Sequence, residues 1–189
     1  RNCDWSSDVC SSDLFEHNKM IASINGVLEH EVLTLENLDR DHVRNEFVRI
    51  AQDKSCDYLF MMDDDMIYPN TCLLDLYNSL LLEKIFYMMG GLYCRRGGNY
   101  EQLAYDYVED KKMFKPNPVE INSGVYRRDM VGTGCLLIDI KLFDILEFPY
   151  FKVGYVGREK EGEDAYFFKT CVEKDIAVDR KSTRLNSSH

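Results

Sequence analysis

The feature that most constrains this chain is a continuous apolar run, Tyr58–Met62 (YLFMM), ending on three consecutive aspartates, Asp63, Asp64 and Asp65. An uninterrupted apolar run of this length marks a strand buried on both faces, whereas a strand with one wet face alternates. A second run, Ile85–Met89, is broken by Gly90 and Gly91, and Asp129–Ile138 holds a third. Helical stretches lie between them. Behind a capping Asp39 or Asp41, Val43, Phe47 and Ile50 recur on one helical face. Pro69 and Asn70 open a helix carrying Leu73, Leu74, Leu80 and Leu81, and Gly162–Lys174 forms another with Phe167, Phe168, Cys171 and Val172 inward. Phe15–Asn25 and Lys141–Leu146 read as further short helices, and Glu31–Leu35 (EVLTL) and Ile176–Val178 as strands. The polar stretch Gly97–Ser123, with Pro116 and Pro118, reads as a long loop or hairpin. Strands alternating with helices predict an α/β fold around a mainly parallel sheet.

The two ends read differently. One in-frame nucleotide spelling of Asp179–His189 (DRKSTRLNSSH) has a reverse complement that translates as DWSSDVCSSD, the sequence of Asp4–Asp13. Both ends resemble a sequencing-library adaptor read through as coding sequence, so residues 1–14 and 179–189 are set apart from the domain, residues 15–178. The formal charge of -10 is unaffected, since each sign loses the same number of residues. That balance argues against nonspecific binding to nucleic acid or an anionic membrane. The longest apolar runs are too short to span a bilayer. Cys56, Cys72, Cys94, Cys135 and Cys171 are odd in number and lack CxxC spacing. They argue against a disulfide framework or zinc site and for a reducing, cytoplasmic setting.

Ligand sites in open α/β sheets lie beyond the carboxyl ends of strands. In an extended chain Asp63 and Asp65 point the same way, roughly 6.5–7 Å apart. Two such charges repel by about 2.5 kcal/mol at an effective dielectric of ~20. A divalent cation removes that repulsion, and Mg²⁺ or Mn²⁺ prefers hard oxygen ligands shared with phosphates. Asp64 faces the other way, towards a ribose hydroxyl or a backbone cap. The plainer alternative is an acidic turn capping the helix behind Pro69. The glycines of Gly132-Thr133-Gly134 suit either close backbone approach to a ligand or a strand bulge. Tyr93, Arg95 and Arg96 suit contact with an acceptor or a phosphate, or a solvated loop face. Tyr150 and Phe151 suit a sugar-stacking platform or buried packing. Glu163 and Asp164 suit catalysis or simple complementation of a helix dipole.

Leu59–Pro69 (LFMMDDDMIYP), Val131–Ile138 (VGTGCLLI) and the Gly162-Glu163-Asp164 motif, in that order, resemble the GT-A-fold glycosyltransferases of the family 2 type. Arg44-Asn45 on the preceding helix fits the same pattern. The resemblance implies a GT-A, Rossmann-like three-layer sandwich with a mainly parallel central sheet, truncated at both ends. It implies metal-dependent transfer of a sugar from a nucleotide-diphosphate sugar to an acceptor hydroxyl, with inversion. Asp63 and Asp65 would hold Mn²⁺ or Mg²⁺, with Asp64 as a further contact to the donor. Asp164 would act as base and Glu163 would orient the acceptor. Arg44, Asn45, Tyr93, Arg95, Gly132, Thr133 and Gly134 would line the substrate site. The family's opening nucleotide-gripping strand and its trailing His are not visible, so the resemblance leaves open that the fragment is inactive even where its parent is an enzyme. Alternatives are a noncatalytic nucleotide-sugar-binding domain and a haloacid-dehalogenase-type phosphotransferase. The latter wants Thr or Val where Ile67 stands. A sugar nucleotidyltransferase would need a Gly-rich, basic opening loop.

Overall fold

The computed structural model describes residues 27–35, 38–63, 66–83, 87–95, 101–120, 124–156, 159–174, 176 and 182–183. The expected helix at Phe15–Asn25 and most of the strand at Ile176–Val178 lie outside them. Among the described residues there are three α-helices, α1 (Arg40–Asp53), α2 (Cys72–Leu82) and α3 (Glu163–Glu173). The strands are β1 (Tyr58–Met62), β2 (Met88–Gly91), β3 (Ala104–Val108), β4 (Met113–Pro116), β5 (Val125–Tyr126), β6 (Met130–Val131), β7 (Cys135–Asp139), β8 (Gly154–Val156), β9 (Glu159–Glu161) and β10 (Ser182–Thr183). A 3₁₀ turn, Ile140–Asp144, stands where the short helix was expected. Glu31–Leu35 is not a strand.

The largest sheet has the order β1-β7-β2-β10-β5. β7 runs antiparallel to both β1 and β2, β10 antiparallel to β5, and only β10 and β2 are parallel. β3, β4 and β6 form a second antiparallel sheet, and β8 and β9 a hairpin. The expected mainly parallel, Rossmann-like three-layer sandwich is therefore corrected to small, mostly antiparallel sheets with helices packed on them. The reason is physical. An apolar run reports burial on both faces but not direction. β7 is such a run, and all but its last residue is buried. The chain reaches it only after the excursion through β3–β6, and that path returns it between β1 and β2 pointing the opposite way. The apolar stretch Asp129–Ile138 is itself split, because Gly132-Thr133-Gly134 breaks it into β6 and β7. β10 lies in the adaptor-like end segment, and its pairing uses backbone groups that almost any sequence supplies.

Alternate β7 side chains point into two cores. Leu136 and Ile138 join Val48, Met61, Met88, Phe143, Phe151, Phe167, Phe168 and Cys171. Cys135 and Leu137 join Tyr68, Cys72, Leu76, Leu80 and Met89 on the α2 side. Phe167 is the hub of the first core. It is fully buried, stacks on Phe151 with ring centroids 4.5 Å apart, and meets Phe168 edge-on at 5.2 Å. Phe167→Ala is expected to cost about 3–5 kcal/mol, the usual range for emptying a buried aromatic site. Urea denaturation would check it, and a loss under 1 kcal/mol would contradict this account of the core.

Candidate functional site

Five segments far apart in sequence meet at one end of β1. Backbone pairing brings the first two together: Asp63 N–H donates to the Gly134 carbonyl at 3.0 Å, continuing the β1–β7 ladder by one residue. The buried Tyr68 reinforces the junction. Its hydroxyl accepts from Asp63 N–H at 2.9 Å and donates to the Gly134 carbonyl. Burial pushes the Tyr68 phenol well above its ordinary range, so it stays a neutral donor. Tyr93, just past β2, accepts from Gly134 N–H at 2.8 Å, and burial followed by the nearby Asp63 charge raises its phenol as well.

These contacts explain the glycines of VGTGC. A Cβ on Gly134 would stand 2.2 Å from Asp63 Oδ2, and one on Gly132 would stand 2.1 Å from the Tyr93 hydroxyl. Here close approach of protein to protein, at least, requires both glycines. Thr133, buried between them, donates to Asp164 Oδ2 at 3.2 Å.

Glu163 and Asp164 begin α3, and Arg44 reaches them from α1. Its Nη1 donates to Glu163 Oε1 at 2.9 Å and to Asp164 Oδ1 at 3.1 Å, and its Nη2 lies 3.9 Å from Asp63 Oδ1. Three carboxylates therefore surround one guanidinium. The two on α3 are driven apart in acidity. Burial, then the neighbouring Asp164 charge, pushes Glu163 upward against the pull of Arg44. Burial also pushes Asp164 upward, but the Arg44 charge and hydrogen bonds from Glu163, the backbone and Thr133 together bring it below its ordinary value. Their linkage to folding has opposite signs. The lowered Asp164 favours the fold above the ordinary aspartate pKa, and that contribution is lost as pH falls through its folded value. The raised Glu163 favours the fold at low pH, and that contribution is lost as pH rises through its folded value.

A groove of about 1920 Å³ is lined in part by Arg44, Asp63, Tyr93, Arg95, Thr133, Glu163 and Asp164. Of the residues expected from sequence, the structure thus brings together Arg44, Asp63, Tyr93, Gly132, Thr133, Gly134, Glu163 and Asp164. Arg95 is exposed on the rim, where its charge lowers the Tyr105 phenol against the larger upward effect of burial. Asn45 is placed differently. Its amide donates to the Asp41 and Phe151 carbonyls, both at 2.7 Å, and accepts from the Tyr150 and Phe151 N–H groups, so it ties α1 to the segment after Pro149. Phe151 is buried against Phe167 rather than forming a platform. Asp64, Asp65 and Arg96 lie outside the described residues. Sequence reasoning missed Tyr68. Its only signal was an aromatic hydroxyl five residues after Asp63, just ahead of Pro69.

Among the described residues no group of three or more His, Cys, Asp or Glu side chains is arranged to hold a metal ion. Asp63 nevertheless offers a partly exposed hard-oxygen donor at the groove, and its side chain is 45% accessible. Magnesium-type ions are commonly held by one or two carboxylates plus substrate phosphates, and Asp63 is one carboxylate of that kind. Among the described residues no helix is long and apolar enough to cross a membrane.

No protein-family model matches the chain, and no curated protein matches it. Among solved structures it is similar to the crystal structure of A197 from STIV, with a TM-score of 0.53 and 18% identity over 80% of this chain and 70% of that one. At that identity the likeness concerns the fold alone. The family 2 GT-A resemblance is accordingly corrected: the structural likeness is distant, and the sheets pair mostly antiparallel instead of forming a parallel Rossmann-like core.

Proposed function

We propose that this groove binds a nucleotide-diphosphate sugar together with Mn²⁺ or Mg²⁺ and transfers the sugar to an acceptor hydroxyl, with inversion. The observation that carries the reading is the meeting of Asp63, Glu163 and Asp164 around a single guanidinium, which leaves an excess of carboxylate at the mouth of a groove. Such a site favours a cation, and a cation makes room for a diphosphate. Asp63 would hold the ion, with Asp65 and Asp64 beside it in sequence. When bound, the ion would neutralise charge on the leaving diphosphate.

The chain's own residues supply the rest. Asp164, held ionised by Arg44 and Thr133, accepts the proton of the acceptor hydroxyl. Glu163, whose affinity for a proton is raised, supports Asp164 as a hydrogen-bond donor. Carboxylates whose environments push their pKa values apart divide acid and base roles in this way. Tyr93 and the two glycines keep the backbone close beneath Asp63.

Calorimetric titration of the chain with Mn²⁺ and nucleotide sugars tests the proposal. Donor binding that needs Mn²⁺ and is lost in Asp63→Asn is the expected result, with sugar released or transferred on incubation. Donor binding without any transfer or hydrolysis would favour a noncatalytic nucleotide-sugar-binding domain. Turnover of phosphomonoesters instead would favour a phosphotransferase.

A further inference from the structure

Resting on the reading that Asp63 takes a divalent cation, we propose that Arg44 is the groove's built-in counter-cation. It is a positioning residue that clamps Glu163 and Asp164 to each other and competes with the incoming ion for Asp63, rather than a contact to substrate. The Arg44 side chain is only 13% exposed. Both of its close hydrogen bonds run from Nη1 to protein carboxylates, at 2.9 and 3.1 Å, and its Nη2 stands 3.9 Å from a third, so each terminal nitrogen faces an acid of the protein. The two carboxylates it holds sit in the first turn of α3, and the third, Asp63, lies 3.9 Å away at the end of β1. The guanidinium thus joins the strand that would bind the ion to the helix that carries the base. Its stem is fixed too: the next residue, Asn45, is tied to the backbone on both sides, and the guanidinium carbon lies 6.0 Å from the Phe151 ring centroid.

A fixed positive charge there weakens binding of a second one. An ion coordinated to Asp63 at ~2.1 Å would lie within about 6 Å of the guanidinium, where a +1 and a +2 charge repel by a factor of about ten in affinity even in bulk water. Removing the Arg44 charge therefore tightens Mn²⁺ while loosening the α3 carboxylates. An ordinary loss of structure would weaken both.

The test uses the full chain carrying Arg44→Gln or Arg44→Lys. Mn²⁺ is titrated without nucleotide and followed by electron paramagnetic resonance. Arg44→Gln should bind Mn²⁺ at least about tenfold more tightly than the parent, and Arg44→Lys, which keeps the charge, should stay within about threefold of it. Unchanged or weaker Mn²⁺ binding in Arg44→Gln overturns the competition. Unchanged Mn²⁺ binding with lost uridine or guanosine diphosphate binding would identify a substrate contact and also overturn it. A second measurement needs no metal: urea denaturation of Arg44→Gln, Asp164→Asn and the double variant. The clamp predicts strongly non-additive shifts in the midpoint, and additive shifts overturn it. If the parent binds no Mn²⁺ either alone or with uridine or guanosine diphosphate present, the Asp63 cation reading fails, and so does the competition. The denaturation cycle then decides separately whether Arg44 is the clamp.

Discussion

Asp164→Asn should lower the turnover of a nucleotide-sugar donor by roughly 100- to 10,000-fold, the usual contribution of a positioned general base. An amide in this place can still meet Thr133 and Arg44, but it cannot take a proton. Donor binding should change far less than turnover, because the diphosphate would be held from the Asp63 side. In the parent, the acid limb of the pH–rate profile should fall below the ordinary aspartate range, since Arg44 and its partners hold Asp164 down. Steady-state kinetics on donor hydrolysis or transfer would check both points. Turnover in Asp164→Asn within a few-fold of the parent would remove Asp164 from the chemistry.

Gly134→Ala should abolish Mn²⁺ and donor binding while the protein stays folded. The added methyl would sit 2.2 Å from Asp63 Oδ2, 2.5 Å from its Cγ and 2.8 Å from the Tyr93 hydroxyl. Nothing that close can stay in place. The nearest atoms are the end of a short side chain, which can swing away, so the stability loss should stay within the roughly 1–3 kcal/mol of ordinary overpacking. The functional loss is larger, because what swings away is the carboxylate proposed to hold the ion. Calorimetry with Mn²⁺ and thermal unfolding would separate the two effects. Gly90 offers a contrast. A Cβ there would meet Val131 Cγ2 at 2.5 Å inside the core, so substitution should damage stability and have no direct route to the groove.

Much of the local structure was legible in sequence. Helical spacing placed α3 within one residue at each end and the start of α1 behind Asp39, and the Pro69-Asn70 opening placed the start of α2. The hairpin alternative for the Pro-rich stretch appears as β3 and β4. Candidate site residues were legible as well: clustered aspartates after an apolar strand repel one another unless compensated, whereas acids at a helix start also serve the helix dipole, so only their meeting in space distinguishes a site. The hairpin of β8 and β9 was not legible, since strands of only three residues, GYV and EKE, are too short to show an alternating pattern.

β1, read as buried on both faces, lies at the sheet edge with only Met61 buried. What sequence alone determined was roughly where α1, α2 and α3 begin and that β7 is buried. Those properties follow from side-chain periodicity and local backbone preference, which neighbouring residues already set. Only the tertiary structure decided that β7 runs against β1 and β2. It also decided that Tyr68 and Tyr93 brace Gly134, that Asn45 serves the backbone, and that Arg44 faces three acids rather than open solvent. Each of these depends on contacts between segments many residues apart, and hydrophobic patterning is silent about direction and partner.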